Sequence, residues 1–393
     1  MKHATKLATL LAAFALPLAL AQTAMAAGTS AGTVITNQAT LDYRVGGIIQ
    51  PSAPSTATTF NVDRKVNFNV TYVPGTFVNV FPGATNQALT YTVTNSGNDT
   101  QDFNLAVAQL NGGAVLTGTD NIDAGSVRLF LDSNTNGTFD SGVDQDITAT
   151  HYLDEVAPDA SVTVFIVGDF PTPQVNANVA GLTLAANALH GHGAAAAGAA
   201  IAGGAVTDLN GAVPGNPVFT VFADVADAQP NLELVAGAFR IAAPVLTVDK
   251  QVSVIWDPVN FNATPRSIPG SFVQYAITIS NAGAALAAAN LTTIQDTLDN
   301  NTTLDPNLIG TALNTAAPGA TSGAGQSFQV THNAADRTTA SPSYYSNGAG
   351  VTVAGQDILA DFTTLLPAEG VTYSAGELKP GQSVTVTFNV SIN

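Results

Sequence analysis

Ser383-Val384-Thr385-Val386-Thr387-Phe388-Asn389-Val390-Ser391-Ile392 carries an apolar side chain at every second position. Thr, Asn and Ser fill the positions between. A period of two over that length belongs to a strand with one face on a core and the other toward water. A helix would need apolar residues three and four apart. Upstream, Leu89-Thr90-Tyr91-Thr92-Val93 alternates in the same way, and the Val and Thr enrichment suits a pleated, half-buried surface. Asn-x-Gly and Pro-Gly turns punctuate such runs. Only Asp296 to Ile309 has a spacing that allows a helical turn. Short strands with turn signals at this spacing predict antiparallel sandwiches.

Working outward, the chain repeats itself. Val62-Asp63-Arg64-Lys65-Val66 recurs as Val248-Asp249-Lys250-Gln251-Val252, an offset of 248 − 62 = 186. Phe81-Pro82-Gly83 recurs as Ile268-Pro269-Gly270, at 268 − 81 = 187. Tyr91-Thr92-Val93-Thr94-Asn95-Ser96-Gly97 recurs as Ile277-Thr278-Ile279-Ser280-Asn281-Ala282-Gly283, at 186 again. A closing block, Glu155-Val156-Ala157-Pro158-Asp159-Ala160-Ser161-Val162, returns as Glu377-Leu378-Lys379-Pro380-Gly381-Gln382-Ser383-Val384, at 377 − 155 = 222. The larger offset puts extra residues inside the second unit. Same-order blocks in nearly one register mark tandem structural units.

The second unit resembles the conserved-repeat domain of bacterial surface proteins, catalogued as domain of unknown function eleven. Gln274 to Gly283 resembles its opening strand and turn. Thr293-Ile294-Gln295-Asp296-Thr297-Leu298 resembles its V-x-D-x-L block, and Leu378 to Val386 its closing Pro-Gly strand. The first unit matches only in its first and last blocks and has no V-x-D-x-L equivalent. The resemblance implies Ig-like sandwiches at the cell surface and carries no catalytic residues.

The predicted fold is therefore all-β: tandem Ig-like antiparallel sandwiches, preceded by an N-terminal β-hairpin segment and a signal peptide. Residues 1–26 read as the signal peptide. Lys2, His3 and Lys6 form the basic start, Leu7 to Leu20 the apolar run, and Ala24-Met25-Ala26 the cleavage site. Residues 27–61 read as a strand pair packing on the first unit, and 62–172 as the first sandwich. Residues 173–243 read as a strand-containing spacer with an Ala/Gly-rich insert at 189–206. Residues 244–393 read as the second sandwich.

The charge narrows the partners. The 393-residue chain has 11 Lys+Arg against 28 Asp+Glu, formally −17, and losing Lys2 and Lys6 leaves 9 − 28 = −19. Scarce, scattered cations exclude a phosphate-binding surface, so nucleic acid is not an expected partner. The absence of Cys removes disulfides, thiolate zinc sites and Cys nucleophiles. No mature stretch reads as a transmembrane anchor.

The one constellation with ligand spacing is Asp132-Ser133-Asn134-Thr135-Asn136-Gly137-Thr138-Phe139-Asp140. Oxygen side chains at loop positions 1, 3, 5 and 9 with Gly at 6 form a pattern that suits Ca²⁺. Val143 stands where a closing Glu would be, so Asp144 or Asp146 would have to close the set. The candidate metal residues are Asp132, Asn134, Asn136, Thr138, Asp140 and Asp144, with Ca²⁺ the one expected cofactor. A plain polar hairpin accounts for the same residues equally well.

Other groups offer less. His190-Gly191-His192 lacks carboxylate company for a metal. His332 and Asp336 form a candidate acid–base pair without a nucleophile elbow. Asp154-Glu155 and Asp224/Asp227 are candidate carboxylate pairs for sugar chemistry. Trp256 with Tyr344-Tyr345 is a thin sugar platform. Lys250 and Asn389 are a candidate isopeptide pair, although Asp249 and Lys250 would face opposite sides of a strand. The sequence thus predicts an exported, non-enzymatic structural or adhesive protein. It would sit at the cell surface or in the medium, ahead of the periplasm or outer membrane, and assemble through edge strands. Its partners would be other surface proteins, copies of itself or a surface glycan. The alternative is a periplasmic or secreted binding module for glycan or a surface complex.

Overall fold

The computed structural model describes residues 28–191, 197–201, 204–206, 218–223, 231–308 and 325–393. The signal-peptide reading lies outside these residues.

The first described strands form a single long hairpin. Strands β1 (Val34–Asn37), β2 (Thr40–Leu41), β3 (Arg44–Val45), β4 (Ile48–Ile49), β5 (Ala53–Pro54) and β6 (Thr58–Asn61) pair in nested order, β1 with β6, β2 with β5 and β3 with β4. Gly46 and Gly47 turn it at φ 57° and 83°, where a Cβ would be strained. The expected packing on the first unit is limited to the base, where Ala31 N–H donates to Asn98 O and Asn98 Nδ2 to Thr29 O. Residues 36–49 and 51–60 are exposed apart from half-buried Gln50. The strand pair is present, but beyond its base it is a two-stranded ribbon that no other described strand pairs with.

The first sandwich contains β7 (Arg64–Val66), β8 (Phe68–Tyr72), β9 (Val78–Val80), β10 (Gln87–Asn95), β11 (Gln101–Gln109), a small hairpin of β12 (Ala114–Val115) and β13 (Gly118–Thr119), β14 (Gly125–Leu131), β15 (Gln145–Asp146), β16 (Tyr152–Val156), β17 (Ser161–Asp169), β18 (Val179–His190), β19 (Gly204–Val206), β20 (Val218–Phe222) and β21 (Leu232–Ile241). One sheet runs β15-β14-β17-β10-β8 and the other β16-β11-β18-β21-β9. Leu89, Tyr91 and Val93 from the first sheet meet Phe103, Leu182, Leu184 and Phe239 from the second. β20 adds parallel to β7.

The boundary expected at 172 does not exist in the fold. β18 and β21, from the supposed spacer, are interior strands of the second sheet. Their core positions include Ala180, Ala186 and Ala188, all buried. Small side chains fit where the two sheets approach closely. Gly237 shows the same tightness: a Cβ there would lie 2.5 Å from Tyr91 Oη. The strand character expected within 173–243 is present, and it is the assignment of these strands to a spacer that fails.

The second sandwich contains β22 (Leu246–Trp256), β23 (Phe272–Asn281), β24 (Ala289–Asn290), β25 (Thr293–Thr297), β26 (Thr302–Leu304), β27 (Gln326–His332), β28 (Ser343–Ser346), β29 (Val351–Ala354), β30 (Asp357–Asp361), α1 (Phe362–Leu365), β31 (Glu377–Leu378) and β32 (Ser383–Ile392). Its main sheet runs β22-β23-β32-β27-β28, with β26 also against β32, and faces the three-stranded β25-β30-β29. Val384, Val386, Phe388 and Val390 project into a separate core with Phe328, Ile358 and Leu365. β32 is central rather than an edge, so Thr387 and Asn389 on its other face are also buried. Asp296 lies in β25 and residues 302–304 in β26, so the described part of 296–309 contains strands where a helical turn was expected, and Ile309 lies outside the described residues. Among the described residues the one helix is α1, capped by Asp361, whose carboxylate accepts from Thr363 N–H.

The repeat is visible in the ladder. Thr94 pairs with Ser161 and Ser280 with Ser383, reproducing both offsets. Asn95 and Asn281, at the ends of β10 and β23, are 0% and 1% exposed. Asn95 Nδ2 donates to Val156 O at 2.9 Å, and Asn281 Nδ2 to Leu378 O at 3.1 Å. Each backbone N–H donates to the equivalent turn, Ala160 O or Gln382 O. The leading block differs. Arg64–Val66 sits in β7 against β20, whereas Val248 to Val252 pairs with β23 inside β22.

Candidate functional site

The loop at 132–144 closes the hairpin between β14 and β15, where Phe130 pairs with Asp146 and Leu131 with Gln145. Phe139 pins its far side, its ring 4.8 Å from Phe130 and 5.9 Å from Phe165. Thr135 and Gly137 take φ values of 55° and 74°, which curl the loop inward. The buried Asp132 accepts from Asn136 N–H at 3.3 Å and Gly137 N–H at 2.8 Å. The buried Asp144 accepts from Ser133 N–H at 3.1 Å and Asp140 N–H at 2.7 Å. Asp140 accepts from the side-chain amides of Asn134 at 2.9 Å and Asn136 at 2.6 Å, which hold its carboxyl below the ordinary value.

Asp132, Asn134, Asn136, Asp140 and Asp144 therefore form one connected cluster. Thr138 joins it through its backbone N–H, which donates to Asn136 Oδ1 at 2.8 Å. Asp146, the other closing acid considered, lies in β15, and its carboxylate bonds Thr148 N–H at 2.8 Å. Val143 points to solvent. The set offers three carboxylates and two amide oxygens, the hard donors calcium takes. Turning the Asn134 and Asn136 amides would direct oxygen rather than N–H toward Asp140.

A second acidic group was only half legible. Asp154 and Glu155 meet Asp102, with one oxygen from each within 4.8 Å of the others. Asp102, fully buried in β11, accepts from Glu155 N–H and Gly198 N–H, both at 2.8 Å. The signal for it was an acid directly ahead of the alternating run Phe103 to Val107. Asp224 and Asp227 lie outside the described residues.

The remaining candidates separate. His190 Nδ1 lies 2.5 Å from Arg64 Nη1, and burial together with that cation depresses its pKa. His192 lies outside the described residues. His332 Nε2 contacts Thr339 O at 3.0 Å, whereas Asp336 bonds the Tyr373 hydroxyl and Lys379, so the proposed acid–base pair does not form. Lys250 bonds Asp296 at 2.7 Å, and Asn389 Oδ1 accepts from Gln274 Nε2. β23 stands between their strands, so the isopeptide pair does not meet. Trp256 is 6% exposed and packs on Phe261 and Phe272, so it offers no face for a sugar. No described helix is long and apolar enough to cross a membrane.

No protein-family model matches the sequence, and no curated protein matches it. Solved structures with partial likeness include AvmM, which catalyses macrocyclization in alchivemycin A biosynthesis. It shares 14% identity over 51% of this chain and 95% of its own, with a TM-score of 0.20. The full-length major pilin RrgB from Streptococcus pneumoniae shares 12% identity over 84% of this chain, also with a TM-score of 0.20. The chain spans 46% of that pilin's length. A TM-score of 0.20 supports no transfer of either protein's role.

Proposed function

We propose that the chain is an exported structural or adhesive protein of the bacterial cell surface, built as a rigid rod of sandwich units. One observation carries the reading: two separate cores, each locked by the same buried asparagine, are joined through a short hydrogen-bonded junction. At that junction Asn176 Oδ1 accepts from Ala243 N–H and Leu286 N–H, both at 3.1 Å, and its Nδ2 donates to Ala284 O. A side chain bonded to both units resists bending between them. The resemblance of the 274–386 blocks to the conserved-repeat domain supports the surface setting, and the leader-like residues 1–26 support export. In this reading calcium at 132–144 stiffens a loop and does no chemistry. Fractionation of the producing cells tests it: recovery with the surface fraction is expected, and recovery in the cytoplasm would overturn it.

A further inference from the structure

The second sandwich is open along one side. β22 pairs only with β23, and β25 only with β30, among the described residues. Val248, Lys250, Val252 and Val254 pair with Ile279, Ile277, Tyr275 and Val273, so they share the face that carries the core. Paired residues of an antiparallel ladder point to one side. Yet Val248 and Val252 are each 62% exposed, because the opposing three-stranded sheet stops at β25. Lys250 alone reaches across, to Asp296 of β25 and over the Tyr275 ring.

Among the described residues this edge is also unpaired in its backbone. Ala282 N–H donates to Val245 O, which fixes the phase of the ladder. Residues 247, 249, 251 and 253 then bond β23, and Leu246, Val248, Lys250 and Val252 turn N–H and C=O outward. The exposed part of this edge, Leu246 to Ser253, alternates apolar and polar side chains apart from Lys250, and an unpaired edge is a template for a further strand.

The N-terminal arm has the complementary character. Leu41, Tyr43 and Val45 stand at alternate positions, 61%, 44% and 60% exposed, and Ile48 opposite Val45 is 70% exposed. Its outer backbone edges have no partner strand among the described residues. At ~3.4 Å per residue, Val34 to Val45 spans about 40 Å and β22 about 37 Å. The arm's only charges are Asp42 and Arg44, and those of β22 are Asp249 and Lys250. Both are neutral in a chain of formal charge −17, so they can meet without the repulsion other surfaces would bring.

We propose that the arm of one copy adds as a strand to the free edge of β22 in a second copy, laying its apolar residues over Val248 and Val252. The contact is heterologous, arm to seam, so it joins copies into pairs or chains. The proposal rests on the structural reading above and names the assembling surfaces.

Sedimentation of the full mature chain with two variants tests it. One variant carries V248K and V252K in the seam, and the other V45K and I48K in the arm. The unmodified chain is expected to form species larger than a monomer as concentration rises, and each variant alone to stay monomeric. Mixed, the two variants are expected to give a one-to-one dimer that grows no further, since only one intact arm meets one intact seam. Trp256 emission, unchanged from the parent, shows that the second unit has kept its fold. A monomeric parent chain, a monomeric mixture, or variants that assemble like the parent would each overturn the proposal. None of these outcomes bears on where the protein resides, which fractionation decides.

Discussion

Replacing Asn281 with Ala tests the lock that both units share. Its side chain donates to Ala287 O at 3.0 Å and Leu378 O at 3.1 Å, and accepts from Val245 N–H at 3.0 Å. Two of these bonds tie the end of β23 to segments distant in sequence, at Val245 and Leu378, and the third holds the turn that follows the strand at Ala287. A net ~1 kcal/mol for each gives a loss of about 3 kcal/mol, since no water reaches a residue this buried to replace them. With a urea slope of ~2 kcal/mol/M, the midpoint falls by about 1.5 M. The chain's single Trp, Trp256, lies in the second unit, so its fluorescence follows that unit alone. Asn95→Ala removes the equivalent bond to Val156 O, together with local bonds to Asp99 O and from Gly97 N–H. It should lower the far-UV CD transition of the first unit and leave the Trp256 transition in place. An Asn281→Ala shift below about 0.3 M, or an equal Trp256 shift from Asn95→Ala, would refute the idea of two cores with one lock each.

Gly381 sits at φ 82° where the first unit has Asp159 at 59°. Gly381→Ala should therefore cost about 1 kcal/mol and Asp159→Gly almost nothing, measured by the same unfolding curves. For Asp257, burial pushes the carboxyl up, but hydrogen bonds from Asn260, Val259 and Arg266 outweigh it and hold it at about 2 against an ordinary 3.8. The Thr339 hydroxyl, with the Thr338 and Thr339 N–H groups, holds Glu369 at about 2 against 4.5. Both depressed carboxylates favour the fold above their ordinary values, so the Trp256 midpoint should hold above about pH 5, decline toward pH 2, and decline less in Glu369→Gln. Calorimetric titration with Ca²⁺ should give a binding heat with a Kd of ~10⁻⁴–10⁻³ M that Asp144→Asn abolishes. No heat in the parent, with no rise in Tm, would leave 132–144 a plain polar hairpin.

The parts of the fold legible in sequence are those where side-chain size follows burial. β32 alternates Val and Thr, and its partner β23 repeats the pattern of β10, so both sandwiches and their shared register could be read. β18 and β21 were expected as strands but assigned to a spacer, because the repeated blocks end before them and only sheet pairing shows that they complete the first sandwich. The ribbon at 34–61 alternates like a buried strand, and only tertiary context shows that its side chains are mostly exposed. The calcium-like loop was legible residue by residue, because a loop with oxygens at alternate positions is defined locally. Asp102 was half hidden, since its partners Asp154 and Glu155 reach it only through the pairing of β11 with β16. Trp256 misled for the opposite reason: a lone aromatic reads as a binding platform until a strand bulge turns it onto Phe272.

Immunogold labelling of intact, unpermeabilised producing cells tests the surface reading most directly. Gold along the outer face of the envelope, removed when intact cells are treated with protease, is the expected result. Label that appears only after the cells are opened would contradict it.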